Sequence, residues 1–296
     1  MYKEIFIETQ VFDLDYNRHV TSRTYENFAY AGRMDLLDSI GLSIHELLKL
    51  KYKVIANETT VRFLNQQFAG SKLKVRTSAY QDSSGLIHWN HLIEDKDGKA
   101  VCDLKSNSYL MDNKNQPLQV KSLRIDPNNL IDESAGKKIE IDPSQLEYHT
   151  LNIQMNTRPE QLTPLTHSIK VPFNDLNIFW TLSSVAVWKF FEEGRFLFFK
   201  EVFGIGADME IDVTTFFMNA NIQIFELPEP GTIITMESWI DSIEKIRFYF
   251  RQDIRDANGK LLASMRDEQL FVKLSASKPC RVPQEFYDKT KKYRLE

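Results

Sequence analysis

The chain repeats one order of elements twice, which confines it to a fold built from two like halves. Gly70 through Lys99 lies on Gly231 through Lys260 without a gap, pairing Gly70 with Gly231, Gly98 with Gly259 and Lys99 with Lys260. Upstream the register changes by one residue and pairs Asp13 with Asp175, Gly32 with Gly194 and Arg33 with Arg195. The change falls between a helix and the next strand, where lengthening a loop costs little. Each half reads as a short strand (3–12; 166–174), a loop, a helix (21–40; 183–202) and then long strands. Asp95-Lys-Asp-Gly98 and Asp256-Ala-Asn-Gly259 are hairpin turn signals between the last two strands of each half. The expected domains are therefore 1–120 and 165–275, with a connector over 121–164 and a polar tail over 276–296 for which a helix is left open. Breakers such as Asp126-Pro, Asp142-Pro and Arg158-Pro mark the connector.

The second helix, Val185-Ala-Val-Trp-Lys-Phe-Phe-Glu-Glu-Gly-Arg-Phe-Leu-Phe-Phe, is apolar nearly all round. Such a helix must be enclosed, and a strongly curved sheet around it does that. Net charge of −4, from 37 basic and 41 acidic residues, gives no global field to draw in nucleic acid or anionic lipid. Lys72, Lys74 and Arg76 form one basic stripe on a strand, read as a solvated face before a phosphate contact. The only cysteines, Cys102 and Cys280, build no disulfide framework, and the chain opens with no secretory leader and has no membrane-length apolar run. A reducing, cytoplasmic setting is expected. His88 and His91 sit three apart on a strand and so face opposite sides, against a shared metal. No phosphate-binding glycine loop or nucleophile elbow occurs, and no cofactor is implied.

Chemistry concentrates just before the first helix, where Asp15, Asn17 and His19 occupy alternate positions. In an extended segment their side chains share one side. A carboxylate, an amide and an imidazole can together orient and deprotonate a water, and the helix N-terminus that follows stabilises an oxyanion. Asp and Asn are equally at home in ordinary turns and caps. The matching positions of the second half are Asn177, Phe179 and Thr181, so every titrating member is gone there. One working site per chain follows.

Strand, Asp-bearing loop, long helix with a late Gly-Arg, and a run of strands, twice over, resembles the hotdog-fold thioesterases of the 4-hydroxybenzoyl-CoA thioesterase-like superfamily. The wording is nearest to the acyl-ACP thioesterases, whose loop reads Asp-Leu-Asp-x-Asn-x-His-Val before a helical Tyr. Here that is Asp13-Leu14-Asp15-Tyr16-Asn17-Arg18-His19-Val20, then Tyr25. The resemblance implies an α+β tandem (double) hotdog, each half a curved antiparallel sheet wrapped around a long central helix. It implies hydrolysis of an acyl-ACP or acyl-CoA thioester, with no cofactor or metal. Asp15 becomes the catalytic carboxylate, Asn17 the residue that orients the carboxylate or the substrate, His19 the assisting base, and a backbone N–H near Ser22 the oxyanion donor. Glu193 lies where some family members carry a helical carboxylate, and it joins Tyr25 as a further candidate. The family's acidic strand partner falls near Gln66 or Gln67, which cannot serve as a base. An intrachain pseudo-dimer is expected, with further dimerisation left open. The alternatives are a hotdog hydratase or dehydratase, and a non-catalytic protein that binds acyl thioesters.

Overall fold

A computed structural model describes residues 2–15, 18–120, 131–132, 137–138, 161–204, 212–276 and 278–294. The chain divides into two compact units: Met1–Glu147 with Leu176–Val185, and Tyr148–Asp175 with Ala186–Glu296. Most of the expected connector lies outside the described residues.

In the first unit, β1 (Tyr2–Glu8) leads through a short 3-10 turn (Val11–Asp13) to α1 (Ser22–Ser39) and α2 (Ile44–Leu50). Four strands follow: β2 (Lys53–Phe63), β3 (Lys72–Gln81), β4 (Leu86–Asp95) and β5 (Ala100–Met111). They alternate because every second side chain is apolar or can be satisfied inside; in β3 Leu73, Val75, Thr77, Ala79 and Gln81 are the buried set. The antiparallel sheet runs β1-β3-β4-β5-β2.

The second unit holds β6 (Leu165–Lys170), the greater part of α3 (Ser184–Phe203), β7 (Val213–Ile224), β8 (Ile233–Ile243), β9 (Arg247–Arg255) and β10 (Leu261–Lys273). Its antiparallel sheet runs β6-β8-β9-β10-β7, the strand order of the first unit repeated. The duplication read from the sequence is thus a duplication of topology.

Gly32 and Gly194 show how closely each helix lies on its sheet. A Cβ on Gly32 would overlap the Thr77 hydroxyl, and one on Gly194 would come to 2.5 Å from Met236 Cγ and 2.6 Å from Gln252 Nε2. Only glycine allows that approach. Two residues of the basic stripe on β3 are paired within the sheet: Lys74 lies 3.1 Å from Glu94, and Arg76 lies 3.1 Å from Glu4 and 2.9 Å from Glu94.

The C-terminal segment contains the helix left open for it, but it is not wholly polar. A short strand, β11 (Lys278–Pro279), pairs with β10, and α4 (Gln284–Thr290) follows. Phe286, Val282 and Tyr293 are buried in one cluster with Phe198, Phe248, Phe250 and Phe271. Phe286 rests on Phe248 at 4.7 Å, Phe271 at 5.0 Å and Phe203 at 5.5 Å between ring centroids. Charged residues dominate the segment's composition, and that masked an apolar set at 282, 286 and 293. Phe286→Ala is expected to destabilise the protein by about 3–5 kcal/mol in urea unfolding. A loss under about 1 kcal/mol would mean that the segment is peripheral.

Candidate active site

The chain closes on itself between Asp15 and His19, in contrast to the extended stretch on which the alternation argument relied. Asp15 N–H donates to His19 O at 2.8 Å, Arg18 N–H to Asp15 O at 3.0 Å, and Leu14 bridges Val20. His19 N–H then donates to the Asp15 carboxylate, Oδ1, at 3.1 Å. Turn closure therefore brings Asp15 and His19 together through the backbone. Asn17 lies outside the described residues.

The same bonding recurs in plain hairpins. Asp95 takes the Lys99 N–H at 2.9 Å, Asp256 the Lys260 N–H at 2.8 Å, and Asp112 the Gln116 N–H at 2.9 Å. In those turns the fourth residue, which must adopt positive φ, is Gly98, Gly259 or Asn115. Before the helices it is Arg18 at φ 64° and Trp180 at φ 59°, side chains that pay a steric penalty of about 1–2 kcal/mol in that region.

The turn of the second repeat has the same architecture. Asn177 N–H donates to Thr181 O at 2.8 Å, Trp180 N–H to Asn177 O at 3.0 Å, and Leu176 bridges Leu182. Asn177 Oδ1 accepts the Phe179 N–H at 2.9 Å and the Thr181 N–H at 3.3 Å. Phe179 is buried in the core of the first unit with Leu36, Leu37 and Trp89. An amide serves the turn as well as a carboxylate does, so the charge at Asp15 is not required for closure.

Other elements fix the first turn in place. Val20 N–H donates to Gln67 O at 2.9 Å, and Thr21 N–H to Asp13 O at 2.9 Å. Thr21 caps α1, its hydroxyl accepting the Thr24 N–H at 3.3 Å. The His19 ring stands edge-on to Phe68 with centroids 5.3 Å apart. Ser22 is the first residue of α1, one turn of chain from His19. Tyr25, by contrast, is a core side chain, edge-on to Phe28 at 6.2 Å and tilted against Phe63 at 5.3 Å. Burial, reinforced by Cys102, pushes its phenol far above the ordinary range. Glu193 lies on the exposed side of α3. Gln67 contributes through its backbone carbonyl.

A second polar cluster escaped the sequence reading. Glu26 and Arg33, two turns apart on α1, are 0% and 2% exposed. Arg33 Nη2 donates to Glu26 Oε1 at 2.8 Å, and the Ser184 hydroxyl donates to the same oxygen. Arg33 Nε donates to His91 Nε2 at 3.2 Å, and His91 Nδ1 meets the Thr77 hydroxyl at 2.9 Å. A guanidinium can only donate, so His91 is neutral with its proton on Nδ1. Burial, then the charge of Arg33, depresses its basicity well below the ordinary value. In sequence the visible signal was a charged pair seven apart inside the apolar stripe of α1. In the second unit Arg195 lies 3.6 Å from Asp267, whose carboxyl burial lifts to about 6 against the pull of Arg195. His88 lies across β4 from His91, 2.9 Å from Asp82 and stacked on Tyr80 at 4.6 Å. Among the described residues no group of three or more His, Cys, Asp or Glu could hold a metal ion. No described helix is long and apolar enough to cross a membrane.

The model of the Thioesterase-like superfamily matches residues 10–148 and 171–290, most of the chain and both repeats. The chain belongs to this superfamily. Two chloroplastic proteins of Arabidopsis thaliana, acyl-acyl carrier protein thioesterases ATL3 and ATL2, are each 25% identical over 122 residues. That stretch is 41% of this chain and 64% of the ATL3 protein, so the match spans less than two thirds of the relative. Among solved structures, the 12:0-ACP thioesterase from Umbellularia californica superposes with a TM-score of 0.67 at 10% identity, covering 91% of this chain and 94% of that one. An acyl-ACP thioesterase from Bacteroides thetaiotaomicron gives 0.62 at 14% identity, covering 91% and 97%. At that identity the likeness is one of fold: this superfamily member has the antiparallel sheets and long helices of the hotdog thioesterases.

His91 sets an acid limit on stability. It is neutral when folded and titrates near pH 6.5 when unfolded, so the unfolded chain binds the extra proton first. Its contribution is complete above about pH 6.5 and is lost as pH falls, by about 1.4 kcal/mol per unit for one proton. His91→Gln, the residue at Gln252 in the second repeat, is expected to flatten that slope in urea unfolding from pH 7 to 5. An unchanged slope would remove His91 as its source.

Proposed function

We propose that the chain hydrolyses acyl thioesters, carried on acyl carrier protein or coenzyme A, at the Asp15–His19 turn. The supporting observation is the contrast between two turns that fold alike: the first carries a carboxylate and an imidazole, the second an amide and a hydroxyl. Superfamily membership and the names of the two Arabidopsis relatives favour the same chemistry. On this reading the molecule is a double hotdog with repeats over 1–120 and 165–275, only the first of them catalytic.

Asp15, held by its bond to the His19 N–H, and His19 take a proton from a water that Asn17 helps to orient. The water oxygen bonds to the acyl carbon, negative charge gathers on the carbonyl oxygen, and the N-terminal turn of α1 at Ser22 stabilises it. The C–S bond then breaks, and the proton is returned to the departing sulfur. Direct attack by Asp15, giving a mixed anhydride that water later cleaves, uses the same residues.

Asp15→Asn copies the residue that closes the second turn, so folding should be kept. Hydrolysis of an acyl-CoA and acyl-carrier panel, followed by free thiol, is expected to fall by about 10²–10⁴-fold in kcat with an unchanged melting temperature. Full activity in this variant would exclude both forms of the mechanism. Wild-type protein that binds the thioesters tightly and releases no thiol would instead make the chain a binding protein.

A further inference from the structure

Glu26 poses a question that the hydrolytic site leaves open. It is wholly buried on α1, and its second oxygen, Oε2, has no hydrogen-bond partner among the described residues. Arg33 requires a nearby anion, because an unpaired guanidinium inside a protein is strongly unfavourable. The second repeat meets the same need differently: Arg195 finds Asp267 on β10, and the helical position matching Glu26 is Trp188. The arginine thus explains a carboxylate, but not its location.

Its other contact explains the location. Ser184 is the first residue of α3, and its hydroxyl donates to Glu26 Oε1. The Arg33 guanidinium reaches that oxygen from Nη2 at 2.8 Å and Ser184 Oγ from Nη1 at 3.5 Å. A buried guanidinium and the hydroxyl of the first residue of a helix of 20 residues together make a receptor for one carboxylate. His91 and Thr77 hold Arg33 from behind and add no charge, so the cluster as a whole is neutral.

We infer that the head of the second repeat's helix is a carboxylate-binding site that the chain fills with its own Glu26. The side chain occupies the place that a ligand's carboxylate or acyl carbonyl would take beside the Asn177–Thr181 turn. The second repeat is therefore closed from within as well as stripped of titrating residues. This consequence rests on the single-site reading above; the ligand chemistry of the cluster does not.

Glu26→Ala should leave the receptor built and empty. Thermal melting of the whole protein is compared in sodium formate, acetate and chloride at equal ionic strength. The expected result is a saturable rise of a few degrees in formate and acetate, at millimolar concentrations, over chloride. Wild type and Glu26→Gln, whose site stays filled, should show no such rise, nor should the double variant Glu26→Ala/Arg33→Met, which lacks the receptor. Equal responses in all four proteins, or none in Glu26→Ala, would overturn the inference. If Glu26→Ala is recovered folded only when acetate is present, that supports it; recovery in neither acetate nor chloride overturns it. The readout is thermal, so it stands or falls whether or not the Asp15–His19 turn hydrolyses thioesters.

Discussion

One local interaction, a side-chain oxygen accepting the backbone N–H four residues on, closes the turns on which both repeats are built. Asp82, Asp95, Asp112 and Asp256 use it to reverse the chain between strands or at a strand's end, and Asp15 and Asn177 use it to deliver the chain to a helix. It satisfies a donor that would otherwise be lost at a tight reversal, and it costs the turn nothing in flexibility. Because the bond needs only an acceptor, an amide can replace a carboxylate without changing the backbone. That tolerance let the two pre-helical turns keep one shape while their chemistry diverged.

A second constraint acts inside the units. Each long helix approaches its sheet at a glycine and carries an arginine directly after it, wholly buried at Arg33 and largely covered at Arg195, so each helix brings a cation in among low-dielectric side chains. Glu26 answers in the first repeat and Asp267 in the second, one from the helix itself and one from a strand. The two answers differ in consequence. Asp267 is raised toward neutrality by its burial, whereas Glu26 is fastened by two donors and reaches the head of α3.

Much of this was legible in the chain because it is local. Strand alternation, helix length, the glycine and asparagine positions of the turns and the doubled order of elements all arise from residues within about ten of one another. The Asp15–His19 segment was not legible as a shape: alternation suggested an extended stretch, and the turn bonds override it. The tail's apolar set was missed because Val282, Phe286 and Tyr293 are separated by lysines and acids that stay outside while these three side chains go in.

The sequence by itself determined two repeats, their hairpin turns, their long helices, and which repeat keeps a carboxylate with an imidazole; these follow from neighbouring residues and their periodicity. Tertiary structure alone decided that Glu26, Arg33, His91, Thr77 and Ser184 share one buried volume. His91 is 58 positions from Arg33, and Ser184 is 158 from Glu26. No periodicity links such positions, and only the packing of helix on sheet, with desolvation to make each charge seek a partner, brings them together.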